Sequence, residues 1–175
     1  MADENSNGAA GANTAQPQGQ AQFNVQKIYV RDVSFEAPNV PQSFNEQAQP
    51  QLSLNLNQKV NRVADEVYEV VLTLTLDCKV EDRTIYLVEV QQAGLFTLTG
   101  FDERTLDMML GSYCPNILFP YGRQMISELI QAGGFPPFLL QPINFDQLYA
   151  DQLRRRAEQG QQSAGGETTP PAGNA

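Results

Sequence analysis

The sequence predicts an α+β fold in which helices pack on one side of a four-stranded antiparallel β-sheet. Residues 23–92 contain four segments with the two-residue alternation that is typical of β-strands, whereas residues 102–153 carry apolar side chains at helical spacing. The connection at residues 81–83 is too short for a crossover helix, so the strands on either side of it are antiparallel neighbours.

The first predicted strand, residues 23–35, is rich in β-branched and aromatic residues. Its alternation changes phase between Val25 and Ile28 and again between Val30 and Val33, which predicts a bulge or a strong twist. Two prolines within residues 37–41 then take the chain out of the sheet.

The other three strands follow the loop that ends at residue 50. Leu52, Leu54 and Leu56 alternate with polar residues, as expected for a half-buried strand. Residues 70–80 repeat this pattern, and residues 84–92 pair back against them as a hairpin.

The second half of the sequence predicts helices. Asp102 is a suitable N-cap, because its carboxylate accepts a hydrogen bond from a free backbone N–H and its charge favours a helix start. Pro115 and Pro120 are expected to interrupt the helical pattern, which resumes at residues 121–132 and ends at the glycines that follow.

A connector and a last helix complete the predicted domain. Residues 135–142 contain three prolines, which predict an extended apolar segment. Asn144 is then expected to cap a helix whose apolar face includes Phe145, Leu148 and Leu153.

The two ends of the chain are predicted to be disordered tails, residues 1–22 and 157–175, on either side of a single domain at residues 23–156. Both tails lack branched aliphatic and aromatic side chains, whose burial could offset the entropy lost on ordering.

The charge balance excludes several kinds of partner. The chain has 20 acidic and 11 basic residues and a net charge of −9. Nucleic acids and anionic membranes both attract basic surfaces, so neither is expected to bind. No apolar run approaches the roughly 18 residues that span a bilayer, and the acidic N-terminus is unlike a secretory signal, so direct membrane insertion is not expected.

The residue types present also argue against catalysis. The sequence contains no histidine, which excludes Ser-His-Asp and Cys-His systems, and it lacks the glycine-rich phosphate-binding motifs. Cys78 and Cys114 are interpreted as small core residues of a cytosolic protein. We therefore expect no catalytic residue, no metal or other cofactor, and no enzymatic activity.

The fourth strand predicts a first binding surface, because both of its faces are apolar. Tyr86 and Val88 lie on one face, and Ile85 and Leu87 lie on the other. This is more apolar surface than a small core needs, and such excess marks either a binding site or self-association.

A second predicted surface is acidic. Asp32, Ser34 and Glu36 share one side of the first strand, and Leu87 and Glu89 share one side of the fourth. Carboxylates around an apolar side chain suit a basic protein partner. An ordinary solvated acidic face is the alternative interpretation.

Several long strings of the sequence occur, in order and with compatible spacing, in one known family. They are Ile28-Tyr29, Asp32-Val33-Ser34-Phe35-Glu36-Ala37-Pro38-Asn39, Val67-Tyr68-Glu69-Val70-Val71-Leu72, Glu89-Val90-Gln91-Gln92, Gly111-Ser112-Tyr113-Cys114-Pro115-Asn116-Ile117-Leu118-Phe119-Pro120-Tyr121, Phe135-Pro136 and Pro142-Ile143-Asn144-Phe145-Asp146. Through these strings the chain resembles the SecB protein-export chaperone family, and the resemblance covers residues 23–153.

The resemblance implies a SecB-like domain that assembles as a homotetramer, a dimer of dimers, through the helix at residues 102–132. It implies an ATP-independent holdase of the bacterial cytoplasm that binds unfolded preproteins and delivers them to the SecA motor for Sec-dependent export. The positions that match SecA contacts are Asp32, Glu36, Leu87 and Glu89. The positions that match the client groove are Leu52, Leu54, Leu56, Tyr86, Val88, Val90, Gln92 and Phe138.

Two other functions stay open from the sequence. A chaperone of the same fold could act outside export, for example by guarding an antitoxin, although the four matched SecA positions speak against it. A carboxylate-dependent metal enzyme could use Asp102, Glu103 and Asp107, although their spacing fits no metal-ligand pattern.

Overall fold

The computed structural model describes the backbone of residues 20–164 and the side chains of residues 20–159. Strands come first and helices follow. The strands are β1 (Gln22–Glu36), β2 (Gln51–Ala64), β3 (Val67–Val80) and β4 (Arg83–Thr99), with a short 3₁₀ helix at Gln42–Asn45. The helices are α1 (Glu103–Met108), α2 (Cys114–Ala132) and α3 (Phe145–Ala164), and a π-helical turn at Met109–Tyr113 joins the first two.

The four described strands form one antiparallel sheet in the order β1-β4-β3-β2, which confirms the predicted fold class. Strand β4 is longer than the predicted segment at residues 84–92, because its last residues pair on both sides. Phe96, for example, lies opposite Val25 of β1 and Tyr68 of β3.

Strand β1 contains the two predicted irregularities. Its register against β4 shifts between Val25 and Lys27 and between Val30 and Asp32. A bulge adds one residue to a strand, so two successive side chains can point to the same face. At the second shift, Arg31 and Asp32 both reach the face of the sheet that lies away from the helices, which we call the open face.

The opposite face of the sheet packs against α2 and forms the core. The even-numbered residues of β3 from position 70 to 80 and of β4 from position 86 to 98 are buried there. They meet Leu118, Ile126 and Ile130 of α2, which are also fully buried. Removal of these apolar side chains from water, at about 25 cal/mol per Å², favours this arrangement.

The predicted interruption of the helix at Pro115 and Pro120 is wrong, because α1, the π-helical turn and α2 form one continuous helical run. Pro115 lies in the first turn of α2, directly after the wider turn in which the Cys114 N–H bonds to the Met109 carbonyl. Pro120 removes a helical donor from the Asn116 carbonyl. Since both Pro120 and Asn116 are exposed, water can satisfy that carbonyl.

The predicted helix ends are confirmed. The Asp102 carboxylate accepts a hydrogen bond of 3.0 Å from the Thr105 N–H at the start of α1. Gly134 follows α2 with a φ of 84°, a conformation that glycine adopts without strain. Asn144 Oδ1 accepts a hydrogen bond of 3.0 Å from the Gln147 N–H at the start of α3.

The predicted tails overlap only partly with the described residues. Helix α3 continues beyond Arg156 to Ala164, so the first residues after the predicted domain are helical. Residues 1–19 and 165–175 lie outside the described part of the chain. None of the helices between residues 20 and 164 combines the length and the apolar character needed to cross a membrane.

Gly94 of β4 provides a test of the packing between the sheet and α2. A Cβ atom at this position would lie 2.7 Å from Phe96 Cε2 and 2.9 Å from Leu118 Cδ2. We expect Gly94→Ala to lower the free energy of unfolding by about 1–3 kcal/mol, because the extra methyl group overpacks the core.

Urea unfolding at a fixed protein concentration measures this change. The control is Asn55→Ala on the exposed side of β2, which should stay within about 0.5 kcal/mol of the wild type. A Gly94→Ala variant as stable as that control would show that the core can accommodate a Cβ atom there.

Candidate functional site: an acidic patch and an apolar groove

The register between β1 and β4 brings the four positions predicted to contact SecA onto the open face. Glu36 lies opposite Leu87, Ser34 lies opposite Glu89, and Asp32 is two residues from Ser34 on the same side. Opposite residues in an antiparallel pair have Cβ atoms about 4.5–5.5 Å apart. Glu36 and Glu89 therefore adjoin the half-buried Leu87, and Asp32 lies further along the same face at the level of Gln91. We call Asp32, Glu36, Leu87 and Glu89 the acidic patch.

Two residues of β3 complete the surroundings of the acidic patch. Thr75 Oγ1 donates a hydrogen bond of 3.0 Å to Glu89 Oε2 and fixes that carboxylate. Asp77 lies opposite Leu87, and its carboxylate is 2.6 Å from Lys79 Nζ. The sequence reasoning missed Asp77, although the alternation of β3 and the short hairpin together place it on this face.

A polar network centred on Glu69 of β3 adjoins the acidic patch. The Glu69 carboxylate accepts hydrogen bonds from Tyr29 Oη at 2.5 Å, from Arg31 Nη1 at 3.0 Å and from Asn61 Nδ2 at 2.9 Å. These residues lie on three different strands, so no local pattern in the sequence reveals the network.

The two acidic groups of this network have shifted pKa values. The hydrogen bond from Tyr29, followed by the one from Asn61, lowers the pKa of the Glu69 carboxyl. Burial, together with the bond to Glu69, raises the pKa of the Tyr29 phenol to about 12. At neutral pH the pair is therefore a phenol that donates to a carboxylate.

Three of the positions predicted to contact clients are buried within the single chain. Val88 and Val90 are 0 % exposed and lie between the sheet and α2. Gln92 is also buried, and its Nε2 donates a hydrogen bond of 2.9 Å to the Tyr29 carbonyl. Substitutions at these positions therefore act on folding as well as on any surface they support.

Leu52, Tyr86 and Phe138 line a cavity of about 580 Å³ beside the loop between β1 and β2. Phe44 of that loop and Phe135 of the connector after α2 close its sides, and we call the cavity the loop-side groove. Leu52 is 39 % exposed, so the groove presents apolar surface to solvent. Phe44 was not predicted from the sequence, where it stands out as the single aromatic residue of a polar loop.

The walls of the loop-side groove are largely aromatic. The Phe135 ring centroid lies 5.0 Å from that of Tyr86 and 5.2 Å from that of Phe44. Ile85 also lines the groove, because the register between β3 and β4 shifts beside Cys78. The prediction that Ile85 and Tyr86 face opposite sides is therefore wrong.

The loop that borders the groove is fastened to the hairpin between β3 and β4. Arg83 Nη2 lies 2.5 Å from Glu46 Oε2, and Asn39 Nδ2 donates a hydrogen bond of 2.8 Å to the Thr84 carbonyl. These two contacts hold both halves of the loop against the sheet.

The two remaining leucines of β2 extend the apolar strip from the loop-side groove towards α3. Leu54 and Leu56 are half-buried. Leu56 lines a second cavity, of about 340 Å³, together with Phe145 and Leu148 of α3. The leucines of β2 thus connect the loop-side groove with a second cavity of mixed polar and apolar lining along one strand.

The two cysteines are core residues, as predicted. Cys78 forms part of the floor of the loop-side groove but is only 2 % exposed, and Cys114 is fully buried in α2. Burial raises the pKa of the Cys78 thiol and raises that of Cys114 to about 12. Neither side chain is a reactive thiolate at neutral pH.

The carboxylates considered for a metal enzyme are engaged in local contacts. Asp102 caps α1, as described above, and Asp107 Oδ2 accepts a hydrogen bond of 2.6 Å from the Tyr149 hydroxyl. Among the described residues, no group of three or more acidic or cysteine side chains is placed to hold a metal ion.

Comparison with known proteins identifies the family. Residues 16–156 match the family described as "Preprotein translocase subunit SecB". Over all 175 residues, and over the full length of each relative, the chain is 57% identical to the protein-export protein SecB of Stenotrophomonas maltophilia and 54% identical to that of Xylella fastidiosa.

A solved structure supports the same fold. The chain matches a SecB-like chaperone of Mycobacterium tuberculosis, solved in complex with a peptide from the HigA1 antitoxin, with a TM-score of 0.59 at 16% identity. The match covers 69% of this chain and 90% of that one. By family match, full-length identity and fold, this chain belongs to the SecB family of protein-export chaperones.

Proposed function

We propose that this protein is an ATP-independent, non-enzymatic holdase of the bacterial cytoplasm, which binds unfolded preproteins and delivers them to the SecA motor. The observation that carries this proposal is the meeting of Asp32, Glu36, Leu87 and Glu89 on the open face, away from the loop-side groove. One chain thus offers separate surfaces for a folded partner and for an unfolded client.

The chemistry of the acidic patch suits a folded, basic partner. Its residues lie on the paired stretches of β1 and β4, so their backbone positions are fixed relative to one another. An apolar contact at the centre with charges around it gives both desolvation and charge complementarity. We assign SecA to this surface.

The loop-side groove and the strip along β2 suit an unfolded client. Aromatic and aliphatic walls accept many apolar sequences, whereas a single shaped pocket would select one. Each contact is weak, but several grooves in one assembly increase the overall affinity without new contacts. The chain's charge of −9 favours client segments that are basic as well as apolar.

We expect the protein to be a homotetramer with a mass about four times 19.3 kDa, built through the helical run at residues 102–132. Met108, Tyr113 and Tyr121 of this run are large apolar side chains that are exposed in the single chain, and symmetric association would bury them. Light scattering after gel filtration measures the mass. A monodisperse monomer at micromolar concentration would contradict this assembly.

A charge reversal in the acidic patch tests delivery. We expect Glu36→Lys to weaken SecA binding at least about tenfold, because it replaces an attraction with a repulsion towards a basic partner. Wild-type binding should also weaken with salt, since exposed charges are screened beyond roughly 10 Å at 0.1 M ionic strength.

The measurement is a paired titration of each variant with SecA and with an unfolded preprotein. Glu66→Lys in the exposed turn between β2 and β3, at the level of Leu98, makes the same change in net charge far from the acidic patch and should bind SecA like the wild type. Equal losses of Glu36→Lys towards SecA and the preprotein would reduce the proposal to a holdase without a dedicated docking surface.

A charge in the loop-side groove tests client capture. We expect Leu52→Asp to weaken binding of an unfolded preprotein at least about tenfold, because a carboxylate cannot be desolvated cheaply against an apolar segment. Val63→Asp is the matched control, since Val63 is also an exposed apolar residue of β2 but lies near the far end of that strand.

Fluorescence anisotropy with a labelled preprotein gives the affinities, after gel filtration has shown that both variants keep the wild-type assembly. If Leu52→Asp and Val63→Asp bind the preprotein equally well, the client site lies elsewhere.

A further inference from the structure

Arg31 places a positive charge beside the acidic patch. The second bulge of β1 directs Arg31 and Asp32, which are consecutive in the chain, to the open face. A guanidinium offers five N–H donors on a flexible stem, so an unrestrained Arg31 would pair with the carboxylates of the patch.

In the structure, Arg31 binds Glu69 and is directed away from the acidic patch. Its Nη1 lies 3.0 Å from Glu69 Oε2. Along β4 the acidic patch occupies the levels of Leu87 to Gln91, whereas Glu69 lies opposite Leu95. The guanidinium therefore crosses β4 towards β3 and towards the far end of the open face.

The Glu69 carboxylate is held in a fixed position where it can bind Arg31. Its side chain is 15 % exposed, against 44 % for that of Arg31, and hydrogen bonds from Tyr29 and Asn61 hold it in place. Lys59 and Lys27 also lie on the open face, at the levels of Ala93 and Leu95, beyond the acidic patch, and Lys79 is paired with Asp77. Of these cations, Arg31 is the one that directly precedes Asp32 in the sequence.

We propose that Glu69 is a positioning residue of the acidic patch. By binding Arg31, it keeps the guanidinium off Asp32, so that the patch presents uncompensated carboxylates to a basic partner. This inference rests on the proposed docking of SecA at the patch. Loss of the Glu69 charge also weakens the hydrogen bonds from Tyr29 and Asn61, so stability and partner binding are measured separately.

The first variant is Glu69→Gln, which keeps the shape of the side chain and removes its charge. We expect SecA to bind about five- to tenfold more weakly, because Arg31 turns to Asp32, while preprotein binding stays at the wild-type value. The urea midpoint should fall, because Tyr29 and Asn61 lose their charged acceptor. Asp65→Asn is the matched control. It makes the same charge change and releases Arg62, bound at 2.9 Å, at the turn between β2 and β3, so SecA binding should be unchanged.

The decisive variant is Arg31→Gln combined with Glu69→Gln. Because the released cation is now absent, we expect SecA affinity to return to within about twofold of the wild type. Titration calorimetry with purified SecA measures both variants.

Either of two results would overturn the proposal. A double variant as weak as Glu69→Gln would mean that the loss comes from distortion of the sheet. A Glu69→Gln variant that binds SecA like the wild type would mean that Glu69 has no positioning role. Failure of the docking function itself is distinguishable, because Glu36→Lys would then bind SecA normally.

Discussion

The two bulges of β1 determine which of its residues meet the helices and which reach the open face. If β1 kept strict alternation through the second bulge, Asp32, Ser34 and Glu36 would face the helices. Val33 and Phe35 would point to the open face instead. Phe35 stacks on Tyr86 at 6.1 Å, so the same bulge also supports a wall of the loop-side groove. One local irregularity thus sets the chemistry on both sides of the sheet.

Strand β4 divides its residues between those two sides. Leu87 and Glu89 contribute to the acidic patch, whereas Tyr86 lines the loop-side groove and Val88 fills the core. In the proposed function, client and motor therefore approach opposite faces of one sheet and do not compete for space. The two sets of side chains alternate on a single backbone. A backbone shift caused by binding on one face would therefore also move side chains on the other.

Much of this arrangement could be predicted because it depends on residues close in sequence. The bulges of β1, the cap at Asp102 and the glycine stop after α2 all follow from local patterns and occur as predicted. The continuous helix past Pro115 could not be predicted, because it needs the π-helical turn before the proline. The Glu69 network could not be predicted from the sequence either, since its members lie on three strands and only the register brings them together.

The burial of Cys78 has a consequence for the redox chemistry of a chaperone that meets unfolded chains. A thiolate in a groove that binds unfolded chains would attack a disulfide in a bound chain, forming a mixed disulfide and releasing the second sulfur of the attacked disulfide as a thiolate. Cys78 lies beneath the groove with its thiol pKa raised by burial, so it contributes volume to the floor without the nucleophile. In the proposed function, the groove can therefore hold a disulfide-containing segment and release it chemically unchanged.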